Sequence, residues 1–174
     1  MPRRWTLFLR NFRAQLKVGR VGESVVESWL SDVRGAVVRA PMVDQLRGID
    51  LYCDGVSIEV KTDTIAHSTG NLAFESVQVD TIGDPGWIWT CQADWLIYLV
   101  WTARRAYWFR PEVIRSRALD TWRPLIKSGK VRVSRTDNAA GYVTVCWLVP
   151  VADAAALAER VCVIPDRYFL SDDT

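Results

Sequence analysis

Asp50, Glu59 and Lys61 flank a single turn, and their types suit chemistry with a divalent cation and an anionic substrate. The run Gly48-Ile49-Asp50-Leu51-Tyr52-Cys53-Asp54-Gly55-Val56-Ser57-Ile58-Glu59-Val60-Lys61 alternates apolar and polar residues on both sides of Asp54-Gly55. Asp-Gly between two such runs predicts a two-residue hairpin, because both central positions of a type I′ turn need positive φ. The turn sets a register in which Cys53 faces Val56, Tyr52 faces Ser57, Leu51 faces Ile58 and Asp50 faces Glu59. Opposed residues share a side of the sheet, with Cβ atoms roughly 5 Å apart. Lys61, two residues beyond Glu59, falls on that same side. Ile49, Leu51, Val56, Ile58 and Val60 line the other. Like charges directly opposed destabilise a strand pair. A divalent cation between the carboxylates removes the repulsion, and Mg²⁺ is often held by one or two carboxylates plus water and phosphate. The alternative is a solvated polar face with Lys61 neutralising Glu59. The hairpin by itself leaves both open.

The elements that must position these residues follow from periodicity. The spacing predicts a helix from about Phe12 to Leu30, with Val18, Val21, Val25 and Trp29 as its apolar stripe. Glu23 and Glu27 share one face of it. Gly19 and Gly22 weaken it and suit close approach of a neighbour. Residues 1–12 read as a basic arm or as further helical turns. Val37–Ala40 is a short strand ended by Pro41. Thr62–Gly70, with the only histidine, His67, reads as a loop. Asn71–Val79 alternates, with Glu75 on the side of Ala73 and Val77. Glu75 joins the acidic face if this strand continues the meander beside Val56–Lys61. Gly83-Asp84-Pro85-Gly86 is a turn cluster. Trp95–Trp101 reads as a strand covered on both faces, and Ala106–Phe109 returns from it. Pro111 begins a helix through about Arg117, and Pro124 and Gly129 break the chain after it. A second hairpin is expected around Asp137–Gly141, then an Ala-rich helix over 154–161 with Asp153 as cap. Residues 165–174 read as a loosely tied tail. The expected class is α+β, or mixed α/β: one domain over 1–174, with a central mixed β-sheet flanked by helices.

Net charge is only +2, but its distribution is uneven. Arg3, Arg4, Arg10, Arg13, Lys17 and Arg20 precede every acidic residue. A second basic stretch runs from Arg104 to Arg135, while the C-terminal end leans acidic. Two basic regions that converge would suit a polyanion. The four cysteines have no C-x-x-C spacing and one histidine to partner them, so a zinc site is not expected. No apolar run approaches the ~18 residues of a membrane span, and Trp5–Leu9 is too short for a leader's apolar segment. The expectation is a cytoplasmic protein with reduced thiols and no membrane partner.

Asp50 followed by Glu59-x-Lys61 on the next strand, after a helix carrying Gly22-Glu23, resembles the PD-(D/E)XK nuclease superfamily over roughly residues 12–100. The chain is most similar in layout to small Holliday-junction-resolvase-like nucleases of archaea and phages. Gly70-Asn71-Leu72-Ala73-Phe74-Glu75 and Thr90…Ala93-Asp94 also resemble phage-type members. Ile49 stands where the family's name has proline. The resemblance implies a restriction-endonuclease-like core and metal-dependent hydrolysis of phosphodiester bonds. Mg²⁺, with Mn²⁺ as substitute, would be held by Asp50, Glu59, the backbone carbonyl of Val60 and Glu23. Lys61 would stabilise charge on the reacting phosphate, and Glu75 would complete the site. The substrate would be DNA, whether duplex, branched or single-stranded, in recombination, repair or phage DNA processing. Junction resolution would call for a homodimer, because two symmetric cuts need two sites. The competing readings are a non-catalytic DNA-binding or assembly subunit with the same fold, and a ribonuclease. Of the neighbours, Thr62 either bonds phosphate or ends its strand, Asp94 reads as a structural cap and His67 as a loop residue. Trp87 and Trp89 read as buried residues in preference to base-stacking platforms.

Overall fold

The computed structural model describes residues 3–79, 82–137 and 143–169, with side chains from Lys17 onward apart from 78 and 79. The N-terminal arginines' side chains, the turn of the second hairpin and residues 170–174 lie outside the described residues.

Residues 3–34 contain no proline, and the first helix uses that freedom: α1 runs Arg3–Arg34, longer at both ends than its apolar stripe predicts. It stops where Gly35 takes φ 110° and donates its N–H to Ser31 O at 3.1 Å. Its buried face is Gly22, Val25, Val26, Trp29 and Leu30, while Val18 and Val21 stay half-buried. At Gly22 the reason for glycine is space. A Cβ there would stand 1.8 Å from Thr62 Oγ1 and 2.9 Å from Thr62 Cβ. Gly19 has open space around it, so only one of the two glycines serves close approach.

The chain continues through β1 (Val37–Arg39), the single turn α2 (Met42–Gln45), β2 (Leu51–Cys53) and β3 (Val56–Asp63). The one-turn helix α3 (Ala66–Thr69) leads into β4 (Asn71–Val79), followed by β5 (Asp84–Pro85), α4 (Trp87–Thr90), β6 (Trp95–Val100) and β7 (Arg105–Phe109). The remainder is α5 (Pro111–Arg117), a wide helical turn (Ala118–Trp122), α6 (Arg123–Lys127), β8 (Arg132–Asp137), β9 (Val143–Pro150), α7 (Val151–Ala155) and β10 (Arg160–Val163).

The fold is mixed α+β with a mixed central sheet flanked by helices. Among the described residues that sheet has the order β1-β2-β3-β6-β7-β10, and a second sheet has the order β5-β4-β9-β8. One sheet was expected. The difference arises after β3. Its open flank is taken by β6, which runs parallel to it with Glu59 beside Leu96 and Lys61 beside Tyr98. A parallel pair needs a long crossover, and β4, β5 and α4 are that crossover. β4 therefore pairs antiparallel with β9 instead of β3.

α1 covers one face of the central sheet, where Val25, Val26, Trp29 and Leu30 meet Leu51, Ile58, Val60, Ile97, Leu99 and Ile164. On the other face Leu96, Tyr98, Tyr107 and Phe109 meet Leu72, Phe74, Trp147 and Val149 of the second sheet, closed off by Ile114 and Trp122. β6, between these layers, is buried along nearly its whole length, as its apolar run predicts.

Three further expectations change. Pro124 does not break the helical region, because it sits in the first turn of α6, where its missing N–H costs nothing. The Ala-rich helix is short and starts early: Arg160–Val163 instead adds β10 to the free edge of β7, and Asp153 makes no cap bond. The tail is tied through Phe169, since Tyr168 donates to Asp32 Oδ2 at 2.7 Å and the Phe169 ring meets Trp101 at 4.8 Å. Among the described residues no helix is long and apolar enough to cross a membrane.

The Gly22–Thr62 contact makes a direct prediction. Gly22→Ala overpacks the α1–β3 seam and lowers stability by about 1–3 kcal/mol in denaturant unfolding. Combining it with Thr62→Ala recovers part of that loss, which a double-mutant cycle reads as favourable coupling.

Candidate active site

The hairpin forms at its expected turn with three of the four expected pairs, and Asp50 lies outside the ladder instead of opposite Glu59. Asp54 and Gly55 take φ 51° and 78°, and β2 pairs β3 as Leu51↔Ile58, Tyr52↔Ser57 and Cys53↔Val56. Asp50 sits one residue outside β2, held through both its backbone and its side chain. Its N–H donates to Ile58 O and its C=O accepts from Ala40 N–H, both at 2.8 Å. Its carboxylate Oδ2 accepts the Val60 N–H at 2.8 Å. β2 ends here while β3 runs on to Asp63, so β3 overhangs its neighbour on this flank. In an extended strand the N–H and C=O of one residue leave on the same side. The Val60 carbonyl therefore faces the open flank that Asp50 occupies.

Glu59 is only 3% exposed. Its Oε1 pairs with Lys61 Nζ, two residues along the same face. Its Oε2 is buried with no hydrogen-bond donor among the described residues. The Asp50 carboxylate is close enough to bond Glu59, but two carboxylates bond only by sharing a proton. Burial, opposed by Lys61 and reinforced by Asp50, pushes the Glu59 carboxyl up to about 7. Burial works against the Lys61 ammonium, but Glu59, Asp50 and Glu75 outweigh it and hold the lysine above its ordinary value. Gly48 allows this packing: with φ 71°, a Cβ there would lie 3.0 Å from Cys91 Cα and 3.7 Å from Glu59 Oε2.

Glu23 reaches the site's rim from α1. Burial and the nearby Asp50 raise its carboxyl, against Arg39 and Lys61. It is engaged elsewhere at the same time. Arg39 on β1 binds Glu23 Oε2 at 3.2 Å, Glu27 Oε2 at 2.7 Å and Ser24 Oγ at 2.9 Å. Glu75 also arrives, but from the second sheet and not as a strand beside β3. Its Oε1 accepts the Trp87 N–H at 3.3 Å. Burial raises its carboxyl while Lys61 lowers it. Gly86 makes this fit possible, because a Cβ there would lie 2.3 Å from Glu75 O. All five expected residues, Asp50, Glu59, Lys61, Glu23 and Glu75, thus lie within electrostatic reach of one another through Lys61 or Asp50.

The neighbours divide otherwise. Thr62 neither ends its strand nor faces the carboxylates: it packs under Gly22 with its hydroxyl buried. Its place two residues from Val60 puts it on the α1 side. Asp94 is structural, its Oδ2 accepting from Ser57 N and Oγ at 2.8 and 2.6 Å. His67 is exposed on α3. Trp87 packs on Phe74 at 5.6 Å, and Trp89 donates to Ser76 O at 2.9 Å, so both serve the second sheet. Two residues were missed. Asp63, buried on the face of Glu59 and Lys61, accepts from Tyr98 OH at 2.8 Å and from the Ile65 and Ala66 N–H groups. Tyr98 OH also receives the Ala73 N–H at 3.0 Å, tying β4 to β3 and β6. The two-residue period running Glu59, Lys61, Asp63 was the signal that could have found the first.

Among the described residues no three His, Cys, Asp or Glu side chains gather as ligands of one ion. Two carboxylates, one with a donorless buried oxygen, and a carbonyl edge still fit a hard cation that completes its shell with water, as Mg²⁺ does. The same oxygen sets a pH dependence. Glu59 ordinarily titrates at 4.5 and here at about 7, so its protonated form favours the fold. That contribution is full below pH 4.5 and is lost as pH rises through about 7. Metal-free protein should therefore lose stability over this window in denaturant unfolding, and Glu59→Gln should flatten the loss. No family model, curated protein or solved structure matches this chain.

Proposed function

We propose that this chain is a divalent-metal-dependent nuclease that hydrolyses DNA phosphodiester bonds on a restriction-endonuclease-like core of the PD-(D/E)XK type. The observation that carries the reading is the Asp50–Glu59 pair: two carboxylates within bonding reach, one oxygen buried without a donor among the described residues, and a lysine fixed beside them. Lys61 and a raised carboxyl offset part of this repulsion, and a bound divalent cation would offset it without the proton.

Asp50, Glu59 and the Val60 carbonyl would hold Mg²⁺ or Mn²⁺, with Glu23 adding a ligand on release from Arg39. The ion's chemistry is to polarise the scissile phosphate and lower the pKa of a bound water. The rest belongs to the chain. Val60 N–H fixes one oxygen of Asp50 and so aims the other. Glu59 anchors Lys61, whose side chain is still 33% exposed and would present its ammonium to a phosphate oxygen of a bound substrate. A cation fixed beforehand stabilises charge as it develops, with little reorganisation. Glu75 stands across Lys61 and accepts from the backbone of α4, which leaves one carboxylate oxygen to orient water.

The basic stretch is partly used within the fold. Arg104 pairs with Asp166 and Arg110 with Glu159, while Arg110 also lies 3.7 Å over Trp95. Arg117, Arg123, Lys127, Lys130 and Arg132 keep exposed or partly exposed side chains, which supports DNA as the polyanion. Recombination, repair or phage DNA processing is the setting this reading suggests, with a homodimer if the substrate is a symmetric junction.

Three outcomes test the reading. Asp50→Ala and Glu59→Ala should abolish cleavage of labelled DNA in Mg²⁺ while leaving DNA affinity within a few-fold, and a Glu59→Ala protein cutting at wild-type rate would falsify the assignment. Lys61→Ala should lower the rate by about 10²–10³-fold, the range for losing one preorganised charge, with little change in Mg²⁺ half-saturation. Replacing Arg123, Lys127 and Lys130 by Gln should reduce the salt slope of binding by about 0.9 for each phosphate no longer neutralised. An unchanged slope removes that surface from the interface.

A further inference from the structure

The turn just before Asp50 turns its apolar side chains to solvent. Met42, Val43 and Leu46 are 69%, 65% and 82% exposed, and Val38 on the adjacent edge strand β1 is 62% exposed. Of its polar residues Asp44 is half-buried, while Gln45 is exposed and ties back through its amide. Asp44 Oδ2 accepts from Tyr52 OH at 2.9 Å, and Gln45 Nε2 donates to Ala40 O at 2.8 Å. An ordinary surface turn would be arranged the other way.

This turn is also firmly mounted on the candidate site. Ile49 N–H donates to Asp44 O at 3.2 Å and Gly48 N–H to Gln45 O at 3.0 Å. Gln92 N–H donates to Arg47 O, and Arg47 Nε to Gln92 Oε1, both at 2.9 Å. The apolar tip is thus linked through Gly48 and Ile49 to Asp50. Arg39 and Arg47 flank it with exposed side chains, and Lys17 and Arg20 are exposed along α1.

Four side chains are too few for a subunit interface, which takes roughly 20–30 residues a side. They suit a smaller occupant. Proteins that distort duplex DNA insert Met, Leu, Ile or Phe between base steps and unstack them, with cations on the flanking phosphates. We propose that Met42, Val43 and Leu46 form a wedge that enters a base step and opens duplex DNA beside Asp50 and Glu59. The substrate is then a duplex that the protein itself unpairs at the point of cutting. This inference rests on the nuclease reading for its substrate, but the opening it describes is measurable without cleavage.

The test uses the full chain and a Met42→Ser/Leu46→Ser variant, whose changes lie on the surface and should leave the unfolding transition in place. Two substrates are compared in Mg²⁺: a fully paired duplex, and the same duplex with splayed, unpaired arms at the cut. The wedge predicts a fall of about tenfold or more on the paired substrate, since unstacking is now unassisted, and a change under about twofold on the splayed one. Equal losses on both, or none on either, overturn it. In parallel, a duplex carrying 2-aminopurine is bound in EDTA. Wild type should raise its fluorescence and the variant should not. If no DNA is cut but this difference holds, the nuclease reading fails and the wedge stands. If wild type does not bind the duplex, or binds without a fluorescence change, the wedge is overturned. It is likewise overturned if sedimentation shows a wild-type dimer that the variant dissociates, because the patch is then a contact between copies of this chain.

Discussion

A glutamate carboxylate held almost wholly out of water is the constraint that the surrounding structure has to answer. Glu59 lies on β3, a strand with α1 behind it, and Gly48 and Cys91 crowd its carboxylate in front. Moving an ionised carboxylate into such a place costs several kcal/mol unless a partner compensates it. Lys61 supplies one partner on the same strand face. Asp50 works in the opposite sense, and the second Glu59 oxygen has no donor among the described residues. The protein alone meets this in part by favouring the protonated carboxyl, which burial and Asp50 push up to about 7. A divalent cation meets it without the proton, and on that reading the same group links metal binding, stability and pH.

The carboxylates could not stay in this state if their supports were free to relax. Gly48 leaves room for the Cys91 backbone beside Glu59, and Asp50 is gripped by Ile58 and Val60 of β3 and by Ala40. On the opposite side Asp63 and Tyr98 join the two sheets by a buried hydrogen-bonded network. Phe74 fills the space beside it, 5.8 Å from the Tyr98 ring and 4.8 Å from Trp122. Tyr98's phenol is pushed well above its ordinary range by burial and by Asp63, so it stays a neutral donor there. A site bounded by packed aromatic rings on one side and a glycine-mediated helix contact on the other has little freedom to close over its own charges.

Arg39 introduces a competition at the rim. It holds Glu23 and Glu27 together and satisfies Ser24 at the same time. The ion pairs are partly exposed, so they are individually weak. Glu23 therefore sits between two sources of positive charge, the arginine on the edge strand and Lys61. The same edge carries the outward-facing apolar turn, which places three different kinds of surface group within one short stretch of chain before Asp50.

The local sequence determined the hairpin and the common face of Glu59 and Lys61, because a two-residue turn with two positive-φ positions fixes register and a period of two fixes sides, whereas Asp50 lies beyond the paired residues and reaches Glu59 from the edge of β3. It also determined Pro111's helix start and the buried character of Trp95–Val100, for the same reason: each depends on neighbours in the chain. What tertiary structure decided is which strand lies beside which. Asn71–Val79 alternates well enough to be a strand, but alternation carries no information about its partner, and β6 took the place beside β3. Glu75 consequently reaches Lys61 across two sheets, and Asp63 becomes the pin between them. The edge of β7 likewise turned Arg160 and Val161, the end of the helix expected over 154–161, into the start of β10, since an open ladder offers backbone hydrogen bonds that a short helix end does not. Burial of Glu59, and with it the whole electrostatic character of the site, exists only once both layers have closed on β3.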